Sequence, residues 1–246
     1  MDATANFGGV SMPPLPAPLA AAFAGLTSAG PKRERTQGQL LQAALQVVGT
    51  RGVAGTTVND VAAAAGMTPA TVYNHFETRE ALLRRLGEAL AVSLCRIIDE
   101  SCGPIGDGAE RMAIGQRRYL WLAAESPAWT LALLDVFGGS PEALAEMQKY
   151  PLADLRIGVR QKRFKVPSEA VAMDVIMGVC TAGMRRIALG MAPPKHDIAV
   201  AAAVLRGLGV PAKDAGEIAK RPLPPFTFER DAAQAPPLVA KRSRRV

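Results

Sequence analysis

From Gln39 onward the apolar residues recur with helical spacing. Leu40, Leu41, Ala44, Leu45 and Val48 share one face, and Gly49 and Gly52 end the pattern. The run Thr57-Val58-Asn59-Asp60 reads as a capping box. The Thr57 hydroxyl can accept from the Asp60 amide, and the acid suits the positive end of a helix. A second, short helix is therefore expected through Val61 and Ala62 to Ala65, closed by a left-handed turn at Gly66. A third opens at once, with Thr68 as N-cap and Pro69 in the first helical position, and runs to about His75. A longer fourth helix starts near Thr78. Leu83, Leu86, Leu90, Leu94 and Ile97 form its buried stripe, and Cys102-Gly103-Pro104 closes it. Further helices are expected over roughly 107–125, 127–137, 141–164, 167–190 and 196–208, the third of them kinked or split by Pro151.

The two ends of the chain break this pattern. Residues 1–34 are rich in Pro, Ala, Gly and Ser and read as a disordered arm with a basic end at Lys32, Arg33 and Arg35. Residues 222–246 are proline-rich and then basic, and read as a loosely ordered tail. Between them, abundant alanine and leucine with aromatics at 5% favour helix over strand. The N-terminal apolar stretch lacks a basic leader and carries Asp2, so no secretory signal is expected. No uncharged run approaches the ~20 residues of a membrane helix.

Residues 56–76 carry the chemistry. Two short helices joined by a tight glycine-containing turn have the physics of a helix-turn-helix. Val61 and Val72 are spaced to pack between the helices, and the small residues from Ala62 to Ala65 allow a close crossing. The second helix presents Thr68, Thr71, Asn74 and His75, and a B-DNA major groove about 12 Å wide admits one such helix. The net charge of +7 suits a polyanionic partner, although the last six residues hold four of the positive charges.

Matches at many positions make the segment resemble the DNA-binding domain of the tetracycline-repressor (TetR) family. They are Gly52, Thr56-Thr57-Val58, Val61-Ala62, Ala65-Gly66-Met67-Thr68, Thr71-Val72-Tyr73, His75-Phe76 and Arg79-Glu80-Ala81-Leu82. The resemblance implies phosphate contacts from Thr57, Tyr73 and Arg79, and base or phosphate contacts from Thr68, Ala70, Thr71, Asn74 and His75. Asn can pair bidentately with adenine, and Thr or Ala can meet a thymine methyl. The reading helix holds no Arg or Lys, so bidentate guanine readout from it is not expected. Lys32, Arg33 and Arg35 are expected to add backbone or minor-groove contacts.

The resemblance further implies an all-α protein. Residues 35–78 would form a three-helix DNA-binding domain, and 79–221 a helical effector-binding and dimerisation domain. Met112, Tyr119, Trp121, Trp129, Phe137, Met147 and Tyr150 are candidates to line an effector pocket, with ordinary core packing the alternative for each. The segment from Val171 to Gly190 is apolar nearly all round, as in a helix buried on several sides. Since the family dimerises through its last two main helices, Val175, Gly178, Val179, Ala182, Ile187 and Val204 are the interface candidates. Asp174 within it is read as solvent-facing, interface-paired or a pocket anchor. The run from Arg160 to Arg163 is read as a solvated helix end.

Neither histidine has a catalytic partner, and Cys95, Cys102 and Cys180 match no metal spacing, so no catalysis, metal or cofactor is expected. The thiols are read as inert buried residues in a reducing cytoplasm. The sum of these readings is a homodimeric regulator, most simply a repressor released from a palindromic DNA operator by a small apolar ligand. An effector-independent DNA-binding protein for chromosome organisation or partner recruitment is the alternative.

Overall fold

The computed structural model describes residues 13–28, 30–138 and 141–226. Its helices are α1 (Ala17–Ser28), α2 (Lys32–Gly55), α3 (Val58–Ala64), α4 (Pro69–His75), α5 (Arg79–Ser101), α6 (Gly108–Glu125), α7 (Pro127–Gly138), α8 (Pro141–Arg160), α9 (Glu169–Ala188), α10 (His196–Gly207) and α11 (Ala212–Ala219). No strand occurs among the described residues. The all-α expectation therefore holds.

Local chemistry sets the reading motif as the sequence indicates. Thr57 Oγ1 accepts from the Asp60 amide at 3.2 Å, Thr68 from the Thr71 amide at 3.2 Å and Thr78 from the Ala81 amide at 3.0 Å. Gly66 takes φ 65° after α3, and its neighbour Met67 bonds back to the Ala62 carbonyl at 2.9 Å. Gly52, with φ 71°, bends the end of α2. Val58, Val61, Ala62 and Val72 are all buried in the core between these helices.

The expected disordered arm is corrected over most of its described length. Residues 17–28 form α1, whose Leu19 and Phe23 are fully buried in one cluster with α2 and α5 residues. Polar ties fix it on three sides. Gln42 Nε2 of α2 donates to Thr27 Oγ1 at 2.8 Å, Arg96 of α5 to the Ala22 carbonyl at 3.4 Å, and Trp129 Nε1 of α7 to the Pro13 carbonyl at 2.7 Å. Helix α1 lies so close to α2 that a Cβ on Gly38 would fall 1.6 Å from the Thr27 carbonyl oxygen. The basic residues Lys32, Arg33 and Arg35 are not part of an arm but stand exposed on the first turn of α2.

Two other expectations change. Helix α8 runs through Pro151 without being split. The proline removes the amide that would otherwise pair with the Met147 carbonyl. At the C-terminal end, α11 adds a helix that the apolar pattern did not announce. Residues 222–226 are fastened rather than loose. Phe226 is buried 5.2 Å from the Trp121 ring, the Arg118 guanidinium sits 3.8 Å over Phe226, and Arg118 donates to the Pro224 carbonyl. The basic end of the tail lies outside the described residues, as do residues 1–12.

One apolar cluster runs unbroken from Leu19 and Phe23 through the α2–α4 motif to Leu94, Leu122, Trp129 and Leu133. The reading motif and the larger helical body thus share a core. A second cluster holds α6 and α8 to α9, α10 and α11 through Leu155, Ile176, Val204, Leu205 and Ile218.

Candidate nucleic-acid interface and ligand cavity

Helix α4 exposes most of its surface. Val72 is its only buried residue, whereas Ala70, Tyr73 and Asn74 are exposed, together with the capping Thr68. Thr71 and His75 are half-buried. Tyr73 is 54% exposed, high for an aromatic side chain. Thr57 is exposed at the start of α3. Its hydroxyl donates to Asp60 Oδ2 at 2.7 Å, and Asp60 pairs through its other oxygen with Arg51 at 2.7 Å. To donate to a phosphate, Thr57 has to release Asp60.

Arg79 departs from its expected role as a phosphate contact. Its Nε donates to the Thr56 carbonyl at 2.6 Å, its Nη2 to the carbonyls of Val53 and Ala54, and its Nη1 to Glu80 at 3.2 Å. These carbonyls lie at the bent end of α2, where the regular helical pairing runs out, and that of Val53 also accepts from the Thr56 amide at 3.4 Å. Arg79 therefore joins the first turn of α5 to the reading motif. The bend at Gly52, which creates that cluster of acceptors, was the only signal in the sequence.

A cavity of about 630 Å³ lies within the helical body. Its walls are mostly apolar: Leu94, Leu122, Leu133, Leu134, Ile176 and Met184 among others. A crevice of about 30 Å³ adjoins it, and Gln116, Tyr119 and Pro151 line both. Of the aromatic and methionine candidates, Tyr119 and Met147 line the large cavity, and Met112 and Tyr150 the crevice. Trp121 and Trp129 line neither. Trp121 packs on Phe226, and Trp129 is pinned to Pro13, so each fastens an end of the chain. The side chain of Phe137 lies outside the described residues.

The polar residues lining the cavity are Gln116, Tyr119, Thr181 and Arg185. The Tyr119 hydroxyl lies 2.8 Å from Cys95 Sγ, and burial pushes the phenol well above its ordinary range. Beside the crevice, Arg111 bridges Asp99 and Asp154, each at 2.5 Å, and donates to the Cys102 carbonyl at 3.0 Å. Burial raises the Asp154 carboxyl, while Arg111 pulls it back down.

Burial pushes the thiols of Cys95 and Cys102 up to about 11 and that of Cys180 to about 12. A thiol is nucleophilic only as thiolate. The folded protein at pH 8 is therefore expected to take up almost no iodoacetamide over an hour, and three equivalents once unfolded in guanidinium. Mass spectrometry reads the difference, and rapid labelling of the folded chain would show that a cysteine is accessible and activated.

The outward side of α9 and α10 carries small and apolar residues beside the exposed Thr181, Arg185, Arg186 and Arg206. Gly178, Ala182, Ala199 and Ala203 are exposed, Val175, Val179 and Ile187 are half-buried, and Val171, Leu189 and Met191 are exposed large apolar residues. Val204 is a correction to the interface candidates. It is fully buried in the chain's own core, because α10 turns that face toward α6 and α11. Asp174 is exposed on α9. Gln161, in the basic run after α8, bonds to the carbonyl of Gly106 and the amide of Gly108, so this helix end is tied to the start of α6.

The helix-turn-helix thus shares its core with the walls of an apolar chamber in the helical body. Residues 40–86 match the family model for bacterial regulatory proteins of the tetR family, and residues 107–221 match that for the tetracyclin repressor-like C-terminal domain. The chain belongs to the tetracycline-repressor family of transcriptional regulators. Among solved structures it is similar to RolR in complex with resorcinol, with 27% identity and a TM-score of 0.66, covering 80% of this chain and 98% of that one. Ligand-free RolR gives 26% identity and a TM-score of 0.64, covering 77% and 99%. The fold is also that of FadR from Bacillus subtilis in complex with stearoyl-CoA, at 17% identity and a TM-score of 0.55, covering 70% and 97%. No curated protein matches the sequence. No helix among the described residues is long and apolar enough to cross a membrane.

Proposed function

We propose that the protein is a homodimeric repressor that leaves a palindromic operator when a small, largely apolar molecule enters the cavity between α5, α6, α7, α8 and α9. The observation that carries this reading is the continuous core linking α4 to the cavity walls, with Leu94 and Leu133 belonging to both core and wall. Each protomer lays α4 in the major groove, with Asn74 and Thr71 against base edges and Thr57 and Tyr73 on phosphates. Arg33 and Arg35, exposed on α2, add backbone contacts. The face carrying Val171, Gly178, Ala182 and Met191 packs against its copy in the dimer.

Ligand release follows from differential affinity for two states. Because Arg79 clamps α5 to the reading motif, a displacement of α5 at the cavity moves the head with it. A tenfold loss of operator affinity needs only about 1.4 kcal/mol of such coupling. RolR, which the chain resembles over nearly all of that protein's length, was crystallised with resorcinol, so small aromatic alcohols are the first effectors to test.

The test is retention of fragments of the protein's own genome, followed by binding titrations on any shared palindrome. Asn74→Ala is expected to cost about 1–3 kcal/mol and to relax selectivity at one base pair. Tyr73→Ala is expected to weaken all sequences alike and to leave the salt slope nearly unchanged, because a neutral hydroxyl on a phosphate releases no counterion. Broad retention without a common motif would instead favour a chromosome-organising role.

A further inference from the structure

The reading of the 630 Å³ cavity as an effector site has a chemical consequence for what enters it. The side chain of Gln116 on α6 is 97% buried, and its Oε1 has no hydrogen-bond partner. It stands in the partition between cavity and crevice, one helical turn from Tyr119, which also lines both. A buried amide oxygen left unpaired is costly, and such groups in folded proteins are few. The last torsion of a glutamine is broad, so the amide can swing toward either space at little cost.

Two groups that line the crevice with it are neutral: burial holds Tyr119 as the phenol and Cys95 as the thiol. The two carboxylates at the crevice are already paired with Arg111. Arg185 also lines the chamber, and what Gln116 adds to it is an unpaired acceptor for a donor.

We propose that Gln116 is the specificity-determining seat of this chamber, and that it selects a ligand with an apolar body and one hydrogen-bond donor, a hydroxyl or N–H, over its alkylated counterpart. The donor pairs Oε1, and the apolar body fills the space between Leu133, Ile176 and Met184. This rests on the effector reading above, and goes beyond it in naming the polar group and its partner.

The experiment is calorimetric titration of the full chain with para-hexylphenol and its methyl ether. The phenol is expected to bind roughly tenfold more tightly than the ether, which leaves Oε1 unpaired. In Gln116→Leu the phenol and the ether should bind within about twofold of each other, because the partner is gone. The ligand-free variant should melt no lower than the wild type, and up to about 2–4 °C higher, since an unpaired buried carbonyl has been removed. Gln116→Met, which is unbranched, serves as the second variant for the same measurements.

A phenol preference that survives both substitutions, or no preference in the wild type, overturns the seat and leaves the cavity as an effector site. Failure of both probes to bind overturns the effector reading and the seat together.

Discussion

Gly38→Ala is expected to lower the melting temperature by roughly 5–10 °C and to open the chain to trypsin at Arg33 and Arg35. The added Cβ would lie 1.6 Å from the Thr27 carbonyl oxygen and 2.6 Å from its carbon, both backbone atoms that cannot swing aside. Helix α1 has to leave the surface of α2, exposing Leu19 and Phe23, which are 0% and 1% accessible. That burial is worth about 3–6 kcal/mol, less the chain entropy the freed segment regains. Gly49→Ala in the same helix is the control, since its Cβ would meet nothing within 4 Å. It should stabilise by about 0.5–1 kcal/mol, because alanine restricts the unfolded chain and favours helix. A Gly38→Ala protein that melts with the wild type and resists trypsin would show that α1 does not bind there.

The second large effect is electrostatic. Arg111→Met is expected to cost about 3–5 kcal/mol at pH 7, because it strands the Asp154 carboxylate in a site where its side chain is only 15% accessible. Asp154 is already raised above the ordinary value of 3.8 by burial, with Arg111 opposing the shift. A carboxyl raised on folding favours the fold below its unfolded value and loses that contribution as pH climbs through the folded one. Removing Arg111 raises it further, so the variant's deficit should be largest near neutrality and shrink on acidification. Asp154→Asn added to Arg111→Met should recover most of the loss at pH 7. Urea melts between pH 4 and 7 would show this, and a deficit independent of pH would mean that lost packing, not charge, dominates.

Where sequence reading succeeded, the determinants were local. Thr57, Thr68 and Thr78 cap the helix that each precedes, and Gly66 supplies the one left-handed residue of the turn. Each signal acts within about four residues, so composition and spacing suffice. Helix α1 was illegible for the opposite reason. Its alanines and flanking prolines look like a low-complexity arm, and what orders it is contact with residues such as Gln42, Arg96 and Trp129, far along the chain.

The same distance effect explains the site residues that changed role. A basic residue at the start of a helix looks ready for phosphate, but Arg79 meets carbonyls 23 to 26 residues earlier. Trp121 and Trp129 have the size and chemistry of pocket residues, yet they fasten Phe226 and Pro13. Val204 has the spacing of an interface residue, and only the packing of α10 on α6 and α11 decides which face turns inward. Gln116 carried no signal at all, because a glutamine in an amphipathic helix is ordinarily solvated.

The economy of α4 bears on how such a protein changes its targets over generations. Val72 is the one buried residue of that helix, and Ala70, Tyr73 and Asn74 are exposed among the described residues. On the function proposed above, substitutions at Ala70 and Asn74 would alter which base pairs are favoured while leaving folding stability within the ±0.5 kcal/mol typical of surface changes. A duplicated copy can thus drift toward a new promoter one base pair at a time without passing through an unfolded ancestor. The chamber has no such freedom. Leu94 and Leu133 belong to its wall and to the shared core at once, so a new ligand must be accommodated by repacking the body of the protein. New addresses should therefore arise faster than new signals, and among descendants of one ancestor the operators should diverge before the effectors do.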